Sequence, residues 1–260
     1  KKVYNFFKKK EQEFFQEADH VISLTHAGKN EILSWEKLAP KPKITVIPCC
    51  VDLDLFNYEI ITVEQQQIWI NKFDLSETDI SLVYLGSFST VYKFKDTLDI
   101  YKKFKLKYPK LKFIVLSKEP KILFDNFLHE ANIQDDGSIF FSSVQREEVP
   151  IILSLMDYSI FFCDPAFSRK ATSPTRMAEL LACGVPVLTN EEIGDSGAII
   201  KANNCGSVLE NFTDESKEEF IGSINLMHVY DKKQLRQVSL ERFNLREGVI
   251  SYKNVYDSLT

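Results

Sequence analysis

The chain contains 260 residues, of which 44% are apolar and 27% are charged, and its net charge is -5 at pH 7. This composition is typical of a globular protein with a full hydrophobic core, and it argues against disorder and against nucleic-acid binding through a generally basic surface. No apolar run approaches the roughly 20 residues that a helix needs to cross a bilayer.

The N-terminal stretch "KKVYNFFKKK" contains five lysines around Val3, Tyr4, Phe6 and Phe7. It has no continuous apolar segment, so it does not resemble a secretory signal peptide. The pattern favours a basic helix of a larger domain, and a helix that lies on a membrane surface is the alternative. Because the sequence does not begin with methionine, we expect it to be a fragment of a longer protein.

Two strands and a helix are predicted next. The run "HVISLT" at 20–25 predicts a buried strand, residues 27–37 a helix, and "KITVIP" at 43–48 a second strand. Residues 49–79 are polar and rich in glutamine, without strand alternation, which indicates a connector that ends in a helix.

Six further apolar runs follow, and helical segments separate them. They are "ISLVYLG", "LKFIVLS", "GSIFFSSV", "YSIFFC", "GVPVLTN" and "CGSVLE". Short β-rich runs between helices are typical of a parallel sheet that helices cover on both faces. The sequence therefore predicts an α/β fold with a doubly wound, Rossmann-like parallel sheet, followed after about residue 210 by a helical C-terminal segment. In such sheets ligands bind beyond the carboxyl ends of the strands.

The stretch "SPTRMAELLACGVPVLTN" begins at Ser173, after the fourth of these runs. It predicts a helix with Ser173 as the N-cap and Pro174 as the first helical residue. Arg176 then falls in the first turn, where the helix dipole disfavours a positive charge by about 0.3 kcal/mol or more.

Basic charge is concentrated just before this helix and in its first turn. Arg169, Lys170 and Arg176 lie within residues 165–178, which contain no acid and therefore carry a local charge of +3. An anion such as a diphosphate at the helix N-terminus removes the conflict between Arg176 and the dipole. The alternative is an arginine that solvent screens at this position.

The same helix has one face of small residues around a single carboxylate. This face contains Thr175, Ala178, Glu179, Ala182 and Cys183, opposite the core stripe of Met177, Leu180 and Leu181. Small residues indicate that something packs against this face. Glu179 could accept hydrogen bonds from two ribose hydroxyls, and the alternative is a single exposed glutamate in a good helix-forming context.

Several segments, in order, resemble a known family. The stretch at 173–190, followed by "GDSGAIIKANNCGSVL", resembles the donor-site region of retaining GT-B glycosyltransferases of family four, also known as glycosyl transferases group 1. "EADHVISLTHAGKNEI" and "KITVIPCCVDLDLF" resemble the end of the family's acceptor domain and the hinge. "LVYLGSFSTVYK" is similar to the first donor-domain strand with its sugar-phosphate loop, and "RFNLREGVISYKNVYDSL" to the terminal helices.

The resemblance implies a domain organisation. Residues 1–50 correspond to the end of the acceptor domain, 51–79 to the hinge and connector, 80–245 to a GT-B donor domain that binds a nucleotide sugar, and 246–260 to a terminal helix that returns to the acceptor domain. The chain would then lack the acceptor half of the active site.

The resemblance also implies an activity. It is a retaining transfer, of the hexosyltransferase type, of a sugar from a nucleoside-diphosphate sugar to an acceptor hydroxyl in bacterial surface polysaccharide synthesis, as for capsule or lipopolysaccharide. The partners would be a nucleotide sugar and a glycan or lipid-linked glycan. The location would be the cytoplasm, with peripheral association at the inner face of the membrane through the acceptor domain. Two other functions remain open, a GT-B nucleotide-sugar epimerase and a non-catalytic module that binds sugar nucleotides.

The family pattern assigns roles within the 173–190 stretch. Glu179 would bind the ribose, Thr175 and Arg176 would hold the leaving diphosphate, and we expect Arg176 and Glu179 to be the catalytic residues. Many members have a second glutamate eight positions earlier, where this chain has Ala171. The basic loop with Arg169 and Lys170, and Ser173 after it, would then contribute to donor binding in another way.

The loop after the first donor-domain strand also departs from the family. Gly86 and Ser87 follow that strand, but the usual arginine and lysine are not in place, and Lys93 or Lys95 would supply the basic group. The chain contains neither G-x-G-x-x-G nor G-x-x-x-x-G-K-[ST], which argues against a dehydrogenase or a P-loop protein.

Metal-ligand patterns are also missing from the sequence. The four histidines are scattered, and the five cysteines show no Cys-x-x-Cys spacing. We therefore expect no metal and no cofactor, and we expect reduced thiols in a cytoplasmic protein.

Overall fold

The computed structural model describes residues 2–88 and 91–259, and within them the chain forms eight strands and eleven α-helices. The strands are β1 (Val21–Ser23), β2 (Ile44–Val46), β3 (Ile80–Leu85), β4 (Leu111–Leu116), β5 (Ile139–Ser142), β6 (Tyr158–Ile160), β7 (Val187–Asn190) and β8 (Gly206–Leu209). The helices are α1 (Lys2–Glu17), α2 (His26–Ser34), α3 (Val63–Lys72), α4 (Phe94–Lys107), α5 (Lys121–Glu130), α6 (Val149–Leu153), α7 (Thr175–Ala182), α8 (Ser196–Asn203), α9 (Asp214–Ser223), α10 (Lys232–Arg242) and α11 (Leu245–Asp257).

A six-stranded parallel sheet organises most of the chain. Its strand order is β5-β4-β3-β6-β7-β8, and every neighbouring pair is parallel. Within this sheet the first strand, β3, is central, and β4 and β5 follow it out to one edge. The chain then returns to the centre, where β6 begins the other half of the sheet. The predicted doubly wound sheet is confirmed, and its order reverses between β3 and β6, the point at which such sheets bind ligands.

The strands of this sheet are buried on both faces. Leu82, Val83 and Tyr84 of β3 are fully buried, as are Phe113 and Ile114 of β4. Two covered faces explain why these strands are continuous apolar runs rather than alternating apolar and polar residues. A rigid sheet of this kind fixes the positions of the loops at its carboxyl edge.

The N-terminal residues form a separate small unit. Strands β1 and β2 pair in parallel, and α2 connects them. Helix α1 has no buried residue, and its main aromatic contact joins Phe15 to Trp35. Both hypotheses for this basic helix therefore remain open. Among the described residues, no helix combines the length and the apolar character that membrane crossing requires.

Hydrogen bonds join this unit to segments that follow strands of the large sheet. Asp195, at the start of α8, accepts the amide of Ala27 at 2.9 Å and the amide of His26 at 2.6 Å. The hydroxyl of Thr25 donates to the carbonyl of Lys170 at 2.5 Å. The basic loop before α7 is therefore held against α2.

The C-terminal segment is helical, as predicted. Helix α10 packs against α7, and α11 begins beside the connector, where Val51 forms a parallel bridge with Asn244. The connector, α10 and α11 thus meet behind α7. The domain boundaries remain predictions.

Candidate functional site

A cleft of about 690 Å³ opens at the carboxyl edge of the large sheet. It lies between the ends of β3, β4 and β5 on one side and the first turn of α7 on the other. The cleft is therefore next to the point between β3 and β6 where the strand order reverses. Its polar lining includes Gly86, Ser87, Ser117, Lys118, Glu119, Arg146, Thr175, Arg176 and Glu179. The cleft thus occupies the position that doubly wound sheets use for ligands.

The N-terminus of α7 borders this cleft. The helix begins at Thr175 with Pro174 as its N-cap, and no described side chain caps its first amides. The predicted N-cap role of Ser173 is therefore wrong, because its hydroxyl instead accepts the amide of Cys49 at 3.1 Å. Uncapped amides and the helix dipole make this turn suitable for an anion.

Arg176 has an unusual environment in the first turn. Its guanidinium carbon lies 4.1 Å from the ring centroid of Tyr92, 5.2 Å from that of Phe161 and 5.8 Å from that of Tyr84. Its Nη1 atom is buried without a hydrogen-bond partner among the described residues. The ring faces attract the cation, and the Tyr84 hydroxyl also interacts with it, but Nη1 has no acceptor within that part of the chain, so one buried donor remains unsatisfied beside the cleft.

Gly86 makes room for this guanidinium. A Cβ atom built on Gly86 would lie 2.5 Å from Cζ of Arg176, and the φ angle of Gly86 is +137°. The backbone conformation therefore requires glycine, and a side chain at this position would displace the guanidinium. The structure brings together these two predicted residues, one from the loop after β3 and one from the first turn of α7.

Glu179 lies in the floor of the cleft. Its side chain is only 9% exposed, and its Oε1 atom is 3.0 Å from Nη2 of Arg146. Burial raises the pKa of Glu179, and the positive charges of Arg146 and Arg176 partly oppose that rise. The alternative of a single exposed glutamate is wrong.

Arg146 is a cleft residue that the sequence interpretation did not select. It follows β5 in the short 3-10 turn Arg146–Glu148. The available signal was its position, because a basic residue directly after a strand of a parallel sheet lies at the ligand edge.

The small residues of α7 pack against α10. The carbonyl of Ala178 accepts the hydroxyl of Ser239 at 3.0 Å, and the carbonyl of Ala182 accepts Nη1 of Arg236 at 2.8 Å. The predicted packing on this face is therefore with another helix of the same chain. Glu179 lies where this packed face meets the cleft.

The other predicted donor-binding residues divide into two groups. Ser87 and Thr175 line the cleft with Gly86, Arg176 and Glu179. Lys93 lies outside the cleft lining, where its Nζ is 3.0 Å from Asp96 and 4.5 Å from the ring centroid of Phe212.

The basic loop before α7 also lies apart from the cleft. Lys170 pairs with Glu31 of α2 at 2.8 Å. Arg169 is half-buried, with an Nε atom that has no partner in the described part of the chain, and its carbonyl accepts the amide of Gly194. Of the predicted +3 cluster, Arg176 alone lines the cleft, because the loop packs against α2.

No metal site is evident in residues 2–88 and 91–259. These residues contain no group of three histidine, cysteine, aspartate or glutamate side chains arranged to hold an ion. The predicted independence of metal remains a prediction.

The sheet order, the cleft at the switch point and the helix N-terminus together define a Rossmann-like α/β domain with a ligand cleft at its carboxyl edge. Residues 65–234 match the model of the family Glycosyl transferases group 1, which is more than half of the chain. The protein belongs to this family. A sequence comparison with curated proteins found no significant match.

Solved structures of glycosyltransferases share this fold. WaaG, a glycosyltransferase involved in lipopolysaccharide biosynthesis, is 17% identical with a TM-score of 0.65, and the match covers 93% of this chain and 62% of WaaG. A glycosyltransferase from Rickettsia africae ESF-5 is 17% identical with a TM-score of 0.75, covering 98% of this chain and 67% of that one. Anabaena HepE, solved in complex with UDP, is 11% identical with a TM-score of 0.70, covering 94% and 65%. At these identities the likeness shows the GT-B-type fold, and this chain spans about two thirds of each neighbour.

Proposed function

We infer that this chain contains the donor site of a retaining glycosyltransferase, which moves a sugar from a nucleoside-diphosphate sugar to an acceptor hydroxyl in bacterial surface polysaccharide synthesis. Membership of the glycosyl transferases group 1 supports the reaction class. HepE was solved with UDP and with UDP-glucose, and WaaG is involved in lipopolysaccharide biosynthesis, which supports the substrate class and the pathway. The resemblance to family four supports retention.

The environment of the Arg176 guanidinium is the observation that carries this proposal. Its buried Nη1 atom has no acceptor in the described chain, and it sits in the first turn of a helix whose amides are uncapped. A diphosphate oxygen would accept from Nη1, and the helix dipole would stabilise the same charge. As the bond from the anomeric carbon to the diphosphate breaks, negative charge develops on the leaving group, and Arg176 would stabilise it.

Glu179 supplies the second contact in the proposal. Its buried carboxylate lies one helical turn beyond Arg176 and opens on the same cleft. An ionised carboxylate has acceptor sites for two neighbouring ribose hydroxyls. The cleft volume of about 690 Å³ lies within the range that nucleotide-sized ligands occupy.

The acceptor half, the location and the metal requirement are further parts of the proposal. About one third of each similar structure lies outside the match, which supports an acceptor domain outside residues 1–260. We expect this chain to bind donor and to transfer poorly by itself, and the complete protein to work in the cytoplasm at the inner membrane face. Because Arg176 and the α7 dipole already place positive charge at the diphosphate, we expect chelation of metals to leave nucleotide binding unchanged.

A second candidate function rests on Ala171. This residue replaces the second glutamate of the family pattern. It lies against the N-terminal unit, where its Cα atom would be 3.3 Å from a Cβ atom built on Gly28. A non-catalytic module that binds sugar nucleotides would tolerate this replacement. Turnover of a nucleotide sugar by the complete protein excludes this candidate, and nucleotide binding without turnover supports it.

Calorimetric titration with UDP, GDP, ADP and CDP tests the donor site. We expect one nucleotide to bind, and we expect Arg176→Met and Glu179→Ala each to weaken it by about tenfold or more. The exposed neighbour Glu147 offers the matched control Glu147→Gln, which should bind as the unmodified chain does. Failure of all four nucleotides to bind would contradict the proposal. The anomeric configuration of the product, read by NMR with the complete protein, tests retention.

A further inference from the structure

Arg146 is held at the mouth of the cleft by a rigid turn. Within the 3-10 turn Arg146–Glu148, the carboxylate of Glu148 accepts the amide of Gln145 at 2.7 Å, and the two residues form a capping box. Helix α6 follows immediately at Val149. The backbone of Arg146 therefore has little freedom, and its side chain extends from a fixed point.

The guanidinium of Arg146 lies between an aromatic ring and a carboxylate. Its carbon is 5.0 Å from the ring centroid of Phe56, and its Nη2 atom is 3.0 Å from Oε1 of Glu179. Phe56 is fully buried, and its carbonyl accepts Nη1 of Arg236 at 2.7 Å. The ring is thus a fixed floor under the guanidinium, and the guanidinium in turn fixes the direction of the carboxylate.

The exposures of the two partners differ strongly. The Arg146 side chain is 55% exposed, whereas that of Glu179 is 9% exposed. An arginine at this position keeps most of its hydration, while the carboxylate loses most of its own. The main effect of this pair is to stabilise the buried carboxylate, because a buried charge without a partner is costly.

Few other charges act on Glu179. Among the described residues, the titratable groups that interact with it are Arg176, one turn earlier on α7, Cys183 at the C-cap of α7, and Arg146 from another element. Arg176 is enclosed by aromatic rings. Arg146 therefore supplies the hydrogen bond that orients Glu179.

We propose that Arg146 is a positioning residue of the donor site, which aims the ionised Glu179 carboxylate at the two hydroxyls of the ribose. This inference rests on the proposed function, since it assigns how that site holds its nucleotide. A protonated or rotated carboxyl would lose acceptor capacity toward the hydroxyls. Arg146 itself need not touch the sugar or the diphosphate.

The test is nucleotide affinity as a function of pH, with the member of the UDP, GDP, ADP and CDP panel that the unmodified chain binds. Arg146→Met keeps the contact with Phe56 but removes the charge, and Arg146→Lys restores the charge. The control is Arg246→Met, which removes an arginine from an exposed pair with Asp54 at 2.6 Å. Thermal unfolding of each variant checks that it is folded.

We expect Arg146→Met to weaken binding by about tenfold near pH 8, and by more as the pH falls toward about 5.5. The reason is that loss of Arg146 raises the pKa of Glu179 further, so that the acceptor form disappears at higher pH. Arg146→Lys should recover part of the loss, and Arg246→Met should bind normally. In a Glu179→Gln background, Arg146→Met should have little further effect.

Three results would overturn the inference while leaving the donor site in place. The first is equal nucleotide affinity of Arg146→Met and the unmodified chain at every pH. The second is that Arg146→Met lowers the affinity as much in the Glu179→Gln background as in the unmodified chain. The third is that Arg146→Met lowers the affinity for the 2′,3′-dideoxy form as much as the affinity for the nucleotide itself. If the unmodified chain binds none of the nucleotides, the proposed function fails instead. The two failures are therefore distinguishable.

Discussion

Gly86, in the loop after β3, leaves the space that the guanidinium of Arg176, in the first turn of α7, occupies. The guanidinium of Arg176 lies where the side chain of any other residue at position 86 would begin, because a Cβ there would be 2.5 Å from Cζ of Arg176. Gly86 follows β3 with a φ of +137°. The loop after the first strand of the sheet and the first turn of α7 are thereby fitted to each other at the cleft.

Gly86→Ala should therefore damage both the fold and the site. We expect a loss of about 1–3 kcal/mol in the free energy of unfolding, from backbone strain and the collision, and a loss of about tenfold in nucleotide affinity. The matched control is Gly137→Ala, where φ is +81° and no described atom lies within 4 Å of the Cβ position. It should have backbone strain alone and normal affinity. Urea unfolding and calorimetry measure the two effects, and equal affinities of the two variants would contradict the fit.

Glu179 should make the folded protein less stable at neutral pH. Burial raises its pKa in the folded state above the unfolded value, so the folded state binds more protons between those two pKa values, and stability from this group falls as the pH rises through that window. Glu179→Gln should accordingly increase the Tm near neutral pH, by about 2 °C or more, and the difference should vanish toward about pH 4.

The control for this prediction is Glu147→Gln on the exposed side of the neighbouring turn. Its Tm should follow that of the unmodified chain at every pH. A Glu179→Gln variant that is less stable at neutral pH would show that the ion pair with Arg146 outweighs the cost of burial.

Asp195 should hold the N-terminus of α2 against the large sheet. Its carboxylate accepts the amides of His26 and Ala27, at the positively polarised end of the helix. Asp195→Ala should weaken this contact by about 1 kcal/mol, which corresponds to roughly fivefold faster hydrogen exchange of those two amides. The bond from Thr25 to Lys170 should keep the unit docked. Asp125→Ala, in an exposed pair with Lys121, is the control and should leave both exchange rates unchanged.

The sequence contains strong local signals for the large sheet. Each of the six apolar runs from "ISLVYLG" to "CGSVLE" forms a strand, because a strand buried on both faces must be apolar throughout. The carboxyl-edge rule also brings Gly86 and Arg176 to one cleft, since their loops follow neighbouring strands, β3 and β6. The strands depend on residues close together in the sequence, and the shared cleft depends on a general rule for parallel sheets.

The rest of the site depends on contacts between distant residues. Lys170 pairs with Glu31, so a basic residue next to the site in sequence lies apart from it in space. Ser173 meets Cys49, which moves the start of α7 by one residue. Glu179 is buried because α10 packs on α7. Its contact with Arg146 depends on the direction of one side chain in a short turn. The local pattern of apolar and polar residues does not predict such contacts between distant residues.

Arg236 should be the main link between the connector and α7. Its buried guanidinium donates to the carbonyls of Phe56 at 2.7 Å, Ala182 at 2.8 Å and Leu53 at 3.1 Å. Arg236→Met leaves these carbonyls without their donor. Because hydrogen bonds to a charged group are strong, we expect the free energy of unfolding to fall by roughly 3 kcal/mol.

The same variant should also weaken nucleotide binding, because Phe56 is the ring beneath Arg146 and Ala182 ends the helix that carries Glu179. The matched control is Arg242→Met, at the exposed end of α10, which should change neither stability nor affinity beyond about 0.5 kcal/mol. Urea unfolding and nucleotide titration separate the two effects. If Arg236→Met unfolds at a lower urea concentration but binds nucleotide normally while folded, then the connector supports the fold without positioning the cleft.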